Sequence, residues 1–253
     1  MTYEMKDITG IVLNWKTARM SRGAVLNLQK AYPDLKEIII GDDGSLDEGH
    51  GDYSRAYNRA AYSGDTKRDL DNDKLRDIPG TRFIEFPNHQ GHGLTIDRIL
   101  KYVETPLMLT MDSDMRVVGP GLLEEYLEKY NEDPENIYAV GTQFSDPIYG
   151  RDGEMQFTWV DPFFSLWNME PIKRYERFTF SNFIGPMHNH WGTAAMYNWM
   201  VQHIDEVHSD RPPYKPVIYP DPDRIPQLWH LRRFPDDPDD HIRSINWEKL
   251  MDG

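Results

Sequence analysis

The segment that most constrains this chain is Leu107-Met108-Leu109-Thr110-Met111, which runs directly into Asp112-Ser113-Asp114. A short, almost wholly apolar run bounded by Pro106 and by acids reads as a strand buried on both faces. Such strands belong to parallel sheets covered by helices. In open α/β sheets ligands sit beyond the carboxyl ends of the strands. The run therefore presents two carboxylates, spaced i, i+2, at the mouth of a crevice. Two carboxylates there are costly unless a cation joins them, and the usual partner of oxygen ligands is a hard divalent ion.

The chain before this segment repeats the pattern. Ile8 to Trp15 reads as a first strand, Lys16 to Arg22 as a polar loop, and Gly23 to Tyr32 as a helix stopped by Pro33-Asp34. Glu37 to Gly41 is a second buried strand, and it too runs into acids, Asp42-Asp43-Gly44-Ser45. Strand, helix and strand in this order make a βαβ unit with a right-handed crossover. Leu46 to Gly80 is charged and weakly periodic and reads as a surface insertion. Thr81 to Phe86 is a third strand, followed by the turn-rich Pro87–Gly93 and a helix over Leu94 to Val103. Leu122 to Tyr130 is an amphipathic helix and Ile137 to Gly141 a further strand. Beyond Thr142 aromatic and Pro content rises and periodicity fails. Met155 to Val160, Lys215 to Tyr219 and Gln227 to Leu231 are short strand candidates. Pro171 to Arg177 and Trp191 to Val207 are helix candidates. Phe234 to His241 is an acidic, Pro-broken stretch.

Composition narrows the function classes. The chain has 253 residues, net charge −14 and no Cys. An acidic surface disfavours nucleic acid as a partner, and any metal must use Asp, Glu or His. The Cys-free composition fits a cytoplasmic protein, no signal peptide is evident, and no segment approaches the ~20 apolar residues of a membrane span.

Four features now stand together: Ile-Val-Leu-Asn-Trp at residues 11–15, Asp42-Asp43-Gly44-Ser45, Phe86-Pro87-Asn88-His89-Gln90-Gly91 before a helix, and Asp112-Ser113-Asp114 after an apolar strand. Together they resemble the family 2 glycosyltransferases of the GT-A fold, over roughly Ile8 to Gly141. The resemblance implies an α/β, Rossmann-like fold: a mostly parallel central sheet flanked by helices, with an irregular C-terminal acceptor region. Residues 1–142 would form the donor half and 143–253 the acceptor or lid half of one domain. It implies a metal-dependent, inverting transfer of a hexosyl or pentosyl group from a nucleotide-sugar, UDP-sugars first, to a glycan or other hydroxyl acceptor.

The resemblance also implies roles. Asp112 and Asp114 would hold Mn²⁺ or Mg²⁺ against the donor diphosphate, with His230, or failing it His190, as third ligand and Ser113 beside them. Asp42 and Asp43 would orient the donor base and ribose, and Asn14, Trp15 and Thr17 would line the same pocket. Asn88, Gly91 and His92 precede a helix N-terminus, which favours anions. The family's Ala-Arg-Asn pattern is replaced here by Gly93-Leu94-Thr95-Ile96-Asp97-Arg98, where Arg98 either replaces its Arg or points to solvent. The Glu-Asp pair that supplies a general base in the family is missing before the Trp191 helix; Asp161, Glu170 and His190 are the substitutes. Competing readings are a non-catalytic nucleotide-sugar or glycan-binding module, a sugar nucleotidyltransferase and a dehalogenase-type phosphohydrolase. The last places its acidic pair after the first strand, not the fourth.

Overall fold

A computed structural model describes residues 2–45, 72–142, 148–149, 155–175, 178–180, 194–206, 208, 212–219 and 225–230. The strands are β1 (Ile8–Asn14), β2 (Glu37–Asp42), β3 (Thr81–Glu85), β4 (Leu107–Met111), β5 (Met115–Val117), β6 (Ile137–Thr142), β7 (Ile148–Tyr149), β8 (Met155–Phe157), β9 (Phe164–Asn168), β10 (Lys215–Tyr219) and β11 (Leu228–His230). The helices are α1 (Ala18–Ala31), α2 (Asp73–Arg76), α3 (His92–Leu100), α4 (Leu122–Glu132), α5 (Met169–Arg174) and α6 (Ala195–Gln202). Seven strands form one sheet in the order β10-β6-β9-β4-β1-β2-β3, with β9 alone antiparallel to its neighbours. This is the mostly parallel α/β sheet the sequence predicts.

Strand alternation explains the layers. Ile38 and Ile40 of β2, with Leu107, Leu109 and Met111 of β4, join a core with Val25 and Leu28 of α1 and Leu123 and Tyr126 of α4. Ile39 and Met108, one residue out of phase, face the other way, onto Ile96 and Ile99 of α3 and Tyr197 of α6. Both sides of each strand are therefore apolar, as the unbroken hydrophobic runs require. At Gly41 a Cβ would lie 2.2 Å from Ile99 Cδ1, so α3 packs closely over β2 and Ile99 would have to turn aside for any side chain there.

Several expectations shift. α1 begins at Ala18, so the segment read as a polar loop supplies its first turn: Ala18, Met20 and Ser21 face inward and only the opposite side is polar. α3 begins at His92, not Leu94, because Gly91 with its φ of 91° acts as the N-cap. The C-terminal helix is Ala195–Gln202, followed by a 3-10 turn at Ile204–Glu206; residues 191–193 and 207 lie outside the described set. Strands β5, β7 and β9 were not expected. β9 sits mid-sheet, between β4 and β6, with Phe164, Leu166 and Trp167 fully buried. The Phe164 and Trp167 rings are core; so is Trp159, 8% exposed.

Candidate functional site

The strand order turns around at one point. The chain moves outward from β1 through β2 to β3, then returns to place β4 on the other side of β1. Such a reversal opens a crevice at the carboxyl ends of the two central strands. β1 ends at Asn14 and β4 is followed by Asp112, and the two strands pair in parallel with Val12 opposite Met111. The acidic pair therefore sits at the switch point. Asp112 is about one-fifth exposed and Asp114 is buried. The turn between them is closed by Met115 N donating to Asp112 O at 3.0 Å.

Asp42 and Asp43 both make contacts within the protein. Both are buried, Asp42 completely. Asp42 accepts from Asn14 Nδ2 at 2.5 Å, from Ser45 N at 3.0 Å and from the Ser45 hydroxyl. Asn14 Nδ2 also reaches Asn72 Oδ1 at 3.1 Å, and Ser21 Oγ donates to Asn14 Oδ1 at 2.9 Å. Burial pushes the Asp42 carboxyl pKa upward despite these donors. Asp43 turns to the loop after β3, accepting from Gln90 N at 2.9 Å and Gly91 N at 3.0 Å, with His89 Nδ1 at 2.8 Å. Burial alone would raise its pKa; the His89 contact and the backbone donors outweigh that and hold it low. His89 is raised in return, chiefly by its bond to Asp43. These bonds tie the turn after β2 to β1 and to the loop after β3.

Trp15 leans on the same wall. Its ring stacks on His89 at 4.1 Å between centroids and 14° between planes, with Lys16 Nζ 5.4 Å from the ring centre. Lys16 itself holds a φ of 57°, uncommon for a residue with a Cβ. Thr17 caps no helix donor; its hydroxyl sits 3.3 Å from Ser21 Oγ. Asn88 is exposed on the loop rim.

His92, in the first turn of α3, lies with Nε2 3.0 Å from Asp112 Oδ1. Burial opposes its charge, but Asp112, with Asp43 and Asp114 further off, prevails and raises its pKa. So His92 meets the acidic pair from its own protein. Arg98, in the last turn of α3, lays its guanidinium over the Phe86 ring at 4.6 Å, with Nη1 buried.

The base candidates separate by position. Asp161 immediately precedes the β9 approach, and its N–H donates to Thr142 O at 3.0 Å at the carboxyl end of β6. Two residues on, Phe163 O accepts from Asp112 N at 2.9 Å. Asp161 thus stands at the same edge as the acidic pair, buried. Glu170 does not. It follows β9, whose end pairs with Leu107 at the start of β4, so it lies at the opposite edge of the sheet. There it accepts from Tyr214 OH at 2.5 Å and pairs with Arg174 at 3.1 Å. His190 lies outside the described residues. The His230 backbone pairs with Met115, the residue after Asp114, in the β11–β5 ladder.

Three contributors were missed in the sequence. Asn198 and Gln202, spaced i, i+4 on α6, clamp the extended stretch before Asp161. Asn198 bonds both N–H and O of Val160, at 2.9 and 3.0 Å; Gln202 does the same for Thr158, at 2.9 and 2.6 Å. Helical spacing matched to alternate residues of a strand is invisible until the two are brought together. The third is Arg116, 1% exposed, whose signal was a charge set between Met115 and Val117 in an apolar stretch.

The donor set fits a hard divalent cation: two carboxylates at one turn, in a chain without a Cys thiolate. Among the described residues no cluster of three metal-binding side chains is gathered. Mg²⁺-type sites commonly use one or two carboxylates and take the remaining oxygens from phosphates and water, so the pair suffices in kind.

A family model described as glycosyl transferase family 2 matches residues 20–200, a span that includes Asp42, Asp43, Asp112, Asp114 and Asp161. No curated protein matches the sequence significantly. Among solved structures, a mannosyltransferase from Pyrobaculum calidifontis in complex with GDP-Man and Mn²⁺ is similar, with TM-score 0.51 and 14% identity. The match covers 85% of this chain and 55% of that one, so the chain spans about half the length of that relative. A 4-diphosphocytidyl-2C-methyl-D-erythritol synthase from Anaerococcus prevotii gives TM-score 0.48 and 14% identity over 96% of this chain and 98% of that one. At such identity the mannosyltransferase likeness speaks to the fold alone, which is GT-A. No described helix is long and apolar enough to cross a membrane.

Proposed function

This chain belongs to glycosyl transferase family 2, and on that premise we propose that it moves a sugar from a nucleotide-sugar donor to an acceptor hydroxyl. The observation that carries the reading is the acidic pair Asp112 and Asp114 at the β1–β4 switch point, facing the wall built by Asp43, Trp15 and His89. The donor diphosphate lies across that crevice, with its nucleoside toward the Trp15–His89 side. Asp112 and Asp114 hold Mn²⁺ or Mg²⁺, and His230, whose backbone runs beside Met115, completes the set. When bound, the cation supplies Lewis-acid neutralisation of the departing diphosphate.

The chain's own residues supply the rest. Asp42 and Asp43 keep the crevice walls in place by their inward bonds. Asp161 takes the acceptor proton as general base, on the ground that it shares the edge with Asp112 whereas Glu170 does not. A base on the acceptor side and a leaving group held opposite it make a single displacement with inversion. The family and the GDP-Man and Mn²⁺ bound by the Pyrobaculum enzyme support this class of donor.

A panel of UDP-, GDP- and dTDP-sugars, scored by thermal shift with and without Mn²⁺ and then by donor turnover, tests the reading. At least one nucleotide-sugar should stabilise the protein in a metal-dependent manner. If none does, the reading fails. Binding without turnover of any donor would leave a sugar-nucleotide binding module instead.

A further inference from the structure

A second concavity lies away from the crevice. It is a shallow groove of about 500 Å³ between the segment that enters β1 and helix α4. Thr2 and Met5 form one side, Leu127 and Asn131 the other. Its surface is mostly apolar, with Met5 partly buried against the core and Leu127 8% exposed. Met5 precedes the start of β1 and Asn131 precedes the start of β6, so the groove lies toward the amino ends of the strands. The acidic turn after β4 is at the carboxyl ends.

The two sides are fastened to each other. Tyr3 N donates to Asn131 Oδ1 at 2.8 Å, and Asn131 Nδ2 donates back to Tyr3 O at 3.0 Å. The Tyr3 ring packs on Tyr130 with 5.5 Å between centroids. A groove that is formed before anything binds costs its ligand little ordering.

The rim decides what fits. Glu124, Glu128 and Glu132 border the groove at i, i+4 and i+8 of α4, so they make one exposed line beside the apolar floor. Like charges at this spacing oppose the helix, and Glu132 stands in its last turn, where the dipole disfavours an anion. Glu124 recovers part of that cost by accepting from Gly121 N at 2.8 Å, and Lys129 meets Glu132 at 2.6 Å. The field of the row still reaches Tyr219. Burial first, then its bond to Glu125 and the charges of Glu125, Glu128 and Glu132, push that phenol upward. A second copy of the chain, with net charge −14, would bring like charge against like charge here, and an anionic membrane would do the same. The complement is a helix with Lys or Arg at the same i, i+4, i+8 spacing and aliphatic side chains next to them, laid into the groove. Met5 suits such an occupant because an unbranched thioether adapts to what it packs on.

We propose that the groove between residues 2–5 and α4 docks a basic amphipathic helix of a partner protein, its cations against Glu124, Glu128 and Glu132 and its aliphatic face over Met5 and Leu127. Docking there does not depend on sugar transfer in the crevice.

The probe is a fluorescein-labelled Leu/Lys/Ala helix of roughly four turns, with lysines at i, i+4 and i+8 and leucines alongside, followed by anisotropy without nucleotide or metal. Saturable binding is expected, with a Kd of ~10–100 μM for so small an interface. Glu128→Lys should weaken it by about fivefold or more. Asp77→Lys makes the same change of charge at an exposed position next to β3, and should weaken it by less than about twofold, because screening removes distant charges. Met5→Ser, or Ser in place of each Leu of the peptide, should weaken it several-fold. In hydrogen exchange the bound peptide should slow residues 2–7 and α4. The proposal is overturned if the peptide does not bind saturably, or if Glu128→Lys and Asp77→Lys weaken it equally, which is diffuse charge attraction. It is also overturned if the Ser-substituted peptide binds as well as the original, since the groove is then unused.

Discussion

Asp114 and His89 show how differently a single ionisable residue can serve one crevice. Asp114 follows the carboxyl end of β4 and is proposed as a metal ligand. Asp114→Asn keeps shape and size but loses the charge, so metal-dependent nucleotide binding should fall by at least tenfold in a calorimetric titration while the melting temperature stays within a few degrees. His89 instead binds the protein to itself. Its folded pKa is raised above 6.5 and that of Asp43 is held below 3.8. A raised histidine contributes stability that is present below its unfolded pKa and is lost as pH rises through its folded pKa. A depressed carboxyl contributes stability present above its unfolded pKa and lost as pH falls through its folded value. The pair is therefore strongest in mildly acidic solution, between the two unfolded values, and weakens above it. Melting temperatures of His89→Asn across pH 5 to 8.5 should show a flatter decline on the alkaline side than those of the native chain. An unchanged slope would mean that the ion pair adds nothing to stability. Since His89 is about one-quarter exposed, screening keeps the effect small, ~1 kcal/mol or less.

At the scale of elements, the turn after β2 is the hinge pin of the crevice. Asp42 closes it onto β1 and Asp43 onto the loop leading to α3. Gly44 makes both possible. It takes a φ of 66°, and a Cβ there would lie 2.3 Å from Asn88 C and His89 N. Gly44→Ala meets the left-handed penalty of ~1–2 kcal/mol and must also displace the 88–91 loop. The expected outcome is a clear loss of stability in urea unfolding, together with weaker nucleotide binding, because the Trp15–His89 wall moves with the loop. The turn residues are legible in the sequence as Asp-Asp-Gly-Ser; which carboxylate faces inward is not, since that depends on where Asn14 and Gln90 come to lie. The α6 clamp behaves alike. Asn198→Leu removes both bonds to Val160 and leaves that buried backbone unsatisfied, at ~1–3 kcal/mol. If Asp161 acts as the base, kcat should drop with little change in donor affinity, because only the acceptor edge loosens. Equal losses in both would place the clamp's effect elsewhere.

For the whole molecule, β9 decides the architecture. It is drawn from the aromatic region after Thr142 that lacks any clear period, yet it lies between β4 and β6 and runs against both. Trp167 is its anchor, buried fully, with Nε1 donating to Thr110 Oγ1 of β4 at 2.8 Å and its ring edge-on to Phe180 and Tyr197. Trp167→Ala should cost ~3–5 kcal/mol, and chemical unfolding should remain a single transition because β9 is central to the sheet and cannot detach alone. A separate early transition, with β1 to β4 intact, would show that the first 142 residues hold together independently.

Local pattern was enough for what depends on neighbours in the chain. Short runs apolar on both faces fixed a covered parallel sheet, and each acid at a strand end was destined for the carboxyl edge, because a strand's polarity follows from chain direction. The match over residues 20–200 agrees with that reading. Tertiary structure alone decided three things: that Asp42 and Asp43 turn inward, that Asp161 and not Glu170 shares an edge with Asp112, and that Arg116 lies buried against the acidic turn. Each turns on contacts between residues distant in sequence, such as Asp43 with Gln90 or Arg116 with Met20. Spacing along the chain carries no record of those distances. They arise only when the sheet order brings β1 and β4 side by side.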